Sequence, residues 1–176
     1  MSKAHGPRLT ARGTLSLGLC ALCLVVSCGR SAPLLSNAYP TAESLAEAVL
    51  DAVERRDLEA LRALALNERE FREHVWPELP AARPERNLPF SYVWGDLRQK
   101  SDQTLSNTLG RYGGRRYTLV SVRFGGEATR YPTYTVHRDT VLKVRHQGGD
   151  ESDLRLFGSS LEKDGVWKVF SYVVDD

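Results

Sequence analysis

The hydrophobic period changes at Gly113-Gly114, and this constrains the fold more than any other feature of the chain. Before that pair, apolar residues recur at the spacing of one helix face; after it, they alternate. Thr41 can cap a helix whose apolar positions Leu45, Val49, Ala52 and Val53 recur at i, i+4, i+7 and i+8. Asp57 offers a second cap ahead of Leu58, Leu61 and Leu64, and Asn67 with Glu70 forms a capping-box start for a short helix carrying Phe71 and Val75. Pro77 stops that helix. Four prolines between Pro77 and Pro89 make an irregular loop, and a longer helix follows with Leu97, Ser101, Leu105, Leu109 and Tyr112 in line. Gly113-Gly114 closes it, as a left-handed C-terminal cap would.

Beyond Gly114, Val120, Val122 and Phe124 are expected on one strand face, with Gly125-Gly126 turning the chain. Tyr134, Val136, Leu142 and Val144 share a face of the next strand, and a third runs from about Asp153 to Glu162. Asp164-Gly165 is a hairpin turn signal, and the last strand runs from Val166 to Val174. Helices first and an antiparallel meander second argue an α+β fold: N-terminal helices on a curved antiparallel sheet of about four strands. A two-residue turn at Asp164-Gly165 pairs Phe157 with Tyr172, Ser159 with Phe170 and Leu161 with Lys168. Both faces of the last two strands are then rather apolar, where a sheet covered on one side should alternate more cleanly. One face is expected to meet the helices. The other is expected either to meet a second protomer, as a homodimer, or to be covered by long lysines and the loop at Pro77–Ser91.

The N-terminus reads as an export signal. Lys3, Arg8 and Arg12 make a positive start with no acidic residue before Cys28, and Leu15 to Val26 is an apolar run too short to span a bilayer as a stable helix. Val25-Val26-Ser27-Cys28 resembles the lipobox of bacterial lipoproteins, which have a small residue just before the cysteine. The resemblance implies acylation of Cys28, cleavage before it and a protein tethered to the cell envelope by its lipid. Leu19 and Leu22 make Cys20 and Cys23 poorer fits. An ordinary signal-peptidase cut after Ser27 and an uncleaved anchor are the alternatives. Gly29, in place of an Asp after the cysteine, points to the outer membrane if the organism is diderm. The chain then divides into a signal over 1–27, a tether over 28–40 and one α+β domain over 41–176.

Removing residues 1–27 takes the basic residues from 24 to 21 against 22 acidic ones, so a net charge of +2 becomes −1. No basic excess is left to suggest nucleic-acid binding. The Cys20-x-x-Cys23 spacing leaves with the signal, and Cys28 is then the one cysteine of the mature chain. A domain without an internal disulfide must hold itself together by packing.

The search for chemistry gives no catalytic residue, cofactor or metal site. His137-Arg138-Asp139 copies a kinase tripeptide, but Val144 stands where an Asn should follow and no nucleotide loop is present. Alternation puts His137 on a solvated face with Asp139, Lys143 and Arg145. Arg138 falls on the apolar face with Val136, where it lines a pocket and meets an anion unless a bulge turns it outward. His74, His137 and His146 have no metal-ligand spacing. Gly110–Arg116 lacks the ending of a phosphate loop and follows a helix where such a loop opens one. A last cluster, Phe90, Tyr92, Trp94 and Asp96, lies where the proline loop enters the long helix. Tyr92, Trp94, Asp96 and Arg138 are therefore the pocket candidates. The plainer reading makes Phe90 and Trp94 core anchors and Asp96 a support for the helix's positive end.

Short helices followed by a curved sheet ending in Asp164-Gly165-Val166-Trp167-Lys168-Val169 resemble the cone fold of the nuclear-transport-factor-two-like superfamily, which includes ketosteroid isomerase. The segment Leu58-Glu59-Ala60-Leu61 after Arg56-Asp57 is similar to the second-helix entry of such domains. A cystatin-like sheet on a helix is the near alternative. The resemblance implies a domain with a cone interior, in which catalytic members use a carboxylate and tyrosines. Fold alone does not assign function. The expectation is a lipid-anchored envelope protein whose domain is a non-catalytic binding or protein-interaction module of unknown ligand. The alternatives are an isomerase, dehydratase or cyclase acting in the cone, or a structural part of an envelope assembly.

Overall fold

The computed structural model describes residues 35–174. The signal 1–27, Cys28 and the first part of the expected tether lie outside the described residues. Helix α1 (Ala42–Glu54) starts on a capping box: Thr41 Oγ1 accepts from the Ser44 amide at 3.0 Å, and Ser44 Oγ accepts from the Thr41 amide at 3.2 Å. Its face of Leu45, Ala46, Val49, Leu50 and Val53 is buried. Asp57 caps α2 (Leu58–Leu64) through the Ala60 amide at 2.9 Å. Asn67 and Glu70 cap α3 (Glu68–Glu70), which widens into a π-turn over Phe71–Val75 and ends at Pro77 in a 3-10 turn.

The proline segment that follows forms two further 3-10 turns. Helix α4 (Phe90–Tyr112) then runs for 23 residues, and Gly114 takes the left-handed φ of +81° just past its end. Asp96 lies a turn and a half inside α4 and bonds to Lys100 at 2.8 Å, so it does not support the positive end of the helix dipole as expected.

Seven strand segments follow: β1 (Tyr117–Phe124), β2 (Thr129–Arg130), β3 (Thr135–Arg138), β4 (Thr140–His146), β5 (Glu151–Leu154), β6 (Ser159–Lys163) and β7 (Val166–Ser171). They pair in two sheets, β1-β4-β5 and β2-β3-β6-β7, all antiparallel. Backbone bonds bridge the two sheets, from Gly125 to Asp139, Thr140 to Gly158 and Gly158 to Ser171. The segments therefore read as four bent strands in a curved sheet that does not close into a barrel. The α+β class expected from the sequence is the one observed.

The crease has local causes. Asp139 takes a φ of +53° between β3 and β4. A side chain on Gly158 would fall inside the Val173 carbonyl oxygen, so only glycine lets the last residues cross the bend. Asp164 and Gly165 both take positive φ, the two-residue hairpin turn that their sequence predicts.

Irregularities break the simple alternation in three places. The register shifts between Leu119 and Ser121, which leaves Val120 exposed and off the face of Val122 and Phe124. Leu161 pairs with Lys168 as expected, but a shift at the end of β6 pairs Ser159 with Ser171 and not with Phe170. The expected third strand splits into β5 and β6 around the Arg155–Gly158 bend.

Two apolar clusters fill the domain. The larger sets α1, α2 and Leu105 against Leu142, Val144, Leu154, Val169 and Tyr172. The smaller sets Leu35, Leu66, Phe71 and Val75 against Tyr134, Val136 and Leu161. Both faces of the last two strands thus carry apolar packing from within the chain. Phe71, Leu35 and the flanks of the proline loop pack on part of the second face, where the sequence leaves open a second protomer or lysines with that loop. Tyr39 exchanges backbone bonds with Trp167 at 2.8 and 2.6 Å, and the Leu66 amide donates to the Val169 carbonyl at 3.0 Å. The chain is already part of the fold at Leu35, which is 2% exposed, so the tether expected to reach residue 40 stops short of that.

Candidate functional site

One face of α4 presents Val93, Asp96, Leu97 and Lys100, at the i, i+3, i+4 and i+7 spacing that stacks side chains on a helix. Opposite them stand Val136 and Arg138 of β3, Ser159 of β6 and Phe170 of β7, and together these enclose an open groove of 440 Å³. Phe71 and Leu79 also line it. Phe71 is held by rings on several sides, with centroids 6.0 Å from Phe90, 5.3 Å from Trp94 and 6.2 Å from Phe170. The groove thus has apolar walls, an Asp96–Lys100 ion pair on the helix side, and Arg138 with Asp139 and Tyr131 on the sheet side. Arg138 has no carboxylate partner among the described residues.

The structure brings two of the four pocket candidates together. Asp96 and Arg138 line the same groove from opposite walls. Tyr92 points away and is 66% exposed, and Trp94 packs against Phe71 in the core. The plainer reading of Phe90 and Trp94 as core anchors holds. Cys28 lies outside the described residues.

His137 is not on a solvated face. Its ring lies 4.8 Å from Phe124 and 4.7 Å from Trp167, and Nε2 is 2.8 Å from Glu162. Its neighbour Asp139 sits in the left-handed kink, which ends the alternation on which the solvated reading depended.

Beside the groove lies an ion pair that the sequence reading missed. Lys168 Nζ donates to Glu70 Oε2 at 2.6 Å and to the Ser36 carbonyl at 2.7 Å. Glu70 also accepts from the Asn67 amide at 3.0 Å and from the amide and hydroxyl of Ser36, both at 2.7 Å. Both side chains are buried, at 1% and 6% exposure, and every polar atom of the pair has a partner. Burial alone would push the Glu70 carboxyl up, but the bonds from Lys168, Asn67 and Ser36 outweigh it and hold the group below the ordinary carboxylate value. Burial pulls the Lys168 ammonium down, and Glu70 restores part of that loss. The pair ties the start of the domain, α3 and β7 to one point, and so fixes Phe71, the next residue, in the groove wall.

Such an arrangement can hold an apolar body along Phe71, Val93, Leu97 and Phe170 and an anionic end at Arg138. The Asp96 carboxylate is already bonded to Lys100, and His137 to Glu162. Among the described residues, no group of three or more His, Cys, Asp or Glu is placed to hold a metal ion. No described helix is long and apolar enough to cross a membrane. No family model, curated protein or solved structure matches the chain.

Proposed function

We propose that this protein is an envelope lipoprotein, held to the membrane through acylated Cys28, whose domain is a non-catalytic binding module. Its ligand lies in the groove beneath α4. The observation that carries the binding reading is the pairing of that apolar groove with an uncommitted arginine at its edge. Small-molecule sites combine mostly apolar walls with a few convergent polar groups. An isomerase or dehydratase would use a carboxylate or histidine facing a tyrosine; Asp96 is bonded to Lys100, which leaves Asp139 and Tyr131 of the groove lining as the pair that this second reading would need.

The anchor reading rests on Val25-Val26-Ser27-Cys28. The seven residues from Cys28 to Leu35 reach at most about 25 Å when extended. An acylated Cys28 therefore keeps the domain against the headgroups, and two acyl chains or their equivalent suffice to hold it there. In cells fed labelled palmitate, wild type takes up label and Cys28→Ala does not. Label in the variant would overturn the anchor. For the groove, the full-length protein binds 1-anilinonaphthalene-8-sulfonate, an apolar body with one anionic group, and Arg138→Glu weakens that binding about tenfold. Equal binding by the variant would overturn the assignment.

A further inference from the structure

A second cavity lies further along the same helix and has the opposite chemistry. The face of α4 that lines the groove continues as Thr104, Asn107, Thr108 and Arg111, again at i, i+3, i+4 and i+7. Facing it are Arg123 of β1, Asp153 of β5 and Arg155, and together they enclose 660 Å³. That volume is within the range of small-molecule sites, about 300–1,000 Å³. Among the described residues of the lining, Arg111, Arg123 and Arg155 stand with the one carboxylate of Asp153.

Two observations show donors here that are not committed to the fold. On the neighbouring strands, cations are neutralised: Arg123 bonds to Asp153, while Lys143 and Arg145 share Glu151 at 3.1 and 2.8 Å. Arg111, whose guanidinium carbon lies 5.2 Å from the centroid of the Tyr112 ring, and Arg155 have no carboxylate partner among the described residues, so their N–H forks remain available. The second observation is Thr108, which is 6% exposed and whose hydroxyl bonds to no described residue. Its neighbour Ser106 turns its hydroxyl back onto the Asp102 carbonyl at 3.0 Å, the usual way for a helical hydroxyl to satisfy itself. Buried polar groups normally have a partner, and no fully buried one among the described residues lacks it, so the Thr108 hydroxyl is one that solvent reaches where the residue lines the cavity.

We infer that this cavity binds the phosphate monoester of a polyol. Such a monoester carries about −1.5 to −2 charges at neutral pH, opposite in sign to Arg111 and Arg155. The planar forks of Arg111 and Arg155 suit phosphate oxygens in a way that ammonium groups do not. The Thr108 hydroxyl, with Thr104 and Asn107 beside it, supplies donors and acceptors for the hydroxyls of the polyol. Asp153 holds the Arg123 guanidinium in place at the far wall. The inference depends neither on acylation of Cys28 nor on the apolar groove, which uses other residues.

The test is calorimetric titration of the full-length protein with glucose 6-phosphate, glucose, dihexanoyl phosphatidic acid and dihexanoyl phosphatidylcholine. The phosphate monoesters bind, whereas glucose and the choline diester do not. If glucose 6-phosphate binds more tightly, the natural ligand is a free sugar phosphate; if the phosphatidic acid does, it is a lipid headgroup. Binding weakens at least about tenfold in the double variant Arg111→Gln/Arg155→Gln and about fivefold in Thr108→Val. All three positions can change without loss of the core, and unaltered thermal unfolding of the variants verifies this. Failure of both monoesters to bind, or binding that the double variant leaves unchanged, would overturn the inference.

Discussion

Replacing Lys168 by Met separates the charge of the buried pair from its packing. The methionine keeps the apolar stem of a side chain that is 1% exposed and removes only the ammonium. Glu70 then retains three donors, the amide and hydroxyl of Ser36 and the Asn67 amide, but no counter-charge. Removing one partner of a buried pair costs about 3–5 kcal/mol because the other charge stays behind uncompensated. At about 3 °C per kcal/mol for a domain of this size, that is a fall of roughly 9–15 °C in melting temperature at pH 7. Near-ultraviolet circular dichroism of the full-length protein reads it directly.

The same pair sets a pH dependence. Glu70 has a depressed folded-state value, so its contribution is complete above the unfolded value of about 4.3 and is lost as pH falls through the folded one. The gap between wild type and Lys168→Met therefore narrows as pH falls, first as Glu70 of the variant, without its counter-charge, takes up a proton and then as wild-type Glu70 passes through its depressed folded-state value. The double variant Glu70→Gln/Lys168→Met is more stable than Lys168→Met alone, because no lone charge remains. A Lys168→Met protein that melts within 2 °C of wild type, or a double variant that simply adds two losses, would refute this account of the pair.

Two further outcomes follow from the fold. Gly158→Ala costs about 3 kcal/mol or more, because its methyl meets the Val173 carbonyl, whereas Gly148→Ala, with open space around it, changes stability by less than about 0.5 kcal/mol; urea unfolding of both variants makes the comparison. Tyr172→Phe removes the hydroxyl that donates to the Leu61 carbonyl at 2.6 Å and lowers stability by about 1–2 kcal/mol in the same assay.

Local chemistry was legible in the chain and distant chemistry was not. Thr41, Asp57 and Asn67 each cap the helix their sequence announces, because a cap is decided within three residues. Asp164-Gly165 makes its turn for the same reason. The strand faces were read less well, since the bulges at Val120 and near Phe170 answer to neighbouring strands. Lys168 reads as an outward lysine between Trp167 and Val169, and nothing near it indicates that Glu70, 98 residues earlier, will meet it in the core. Arg138 could be suspected from alternation, and Asp96 from its aromatic neighbours. Only the docking of α4 on the sheet puts them in one groove. The polar stripe from Thr104 to Arg111 has the spacing of a single helix face, yet such a stripe ordinarily faces water.

The bonds that Tyr39 and Leu66 make to the outer side of β7 have a consequence for crowding. An open strand edge offers a template on which another chain can pair, and proteins concentrated on a surface meet one another often. Here that edge is closed at both Trp167 and Val169 by the chain's own backbone. Under the proposed membrane anchor, copies held at high density would therefore have no free β7 ladder through which to join edge to edge, and Tyr39, which closes one end of it, lies four residues after Leu35.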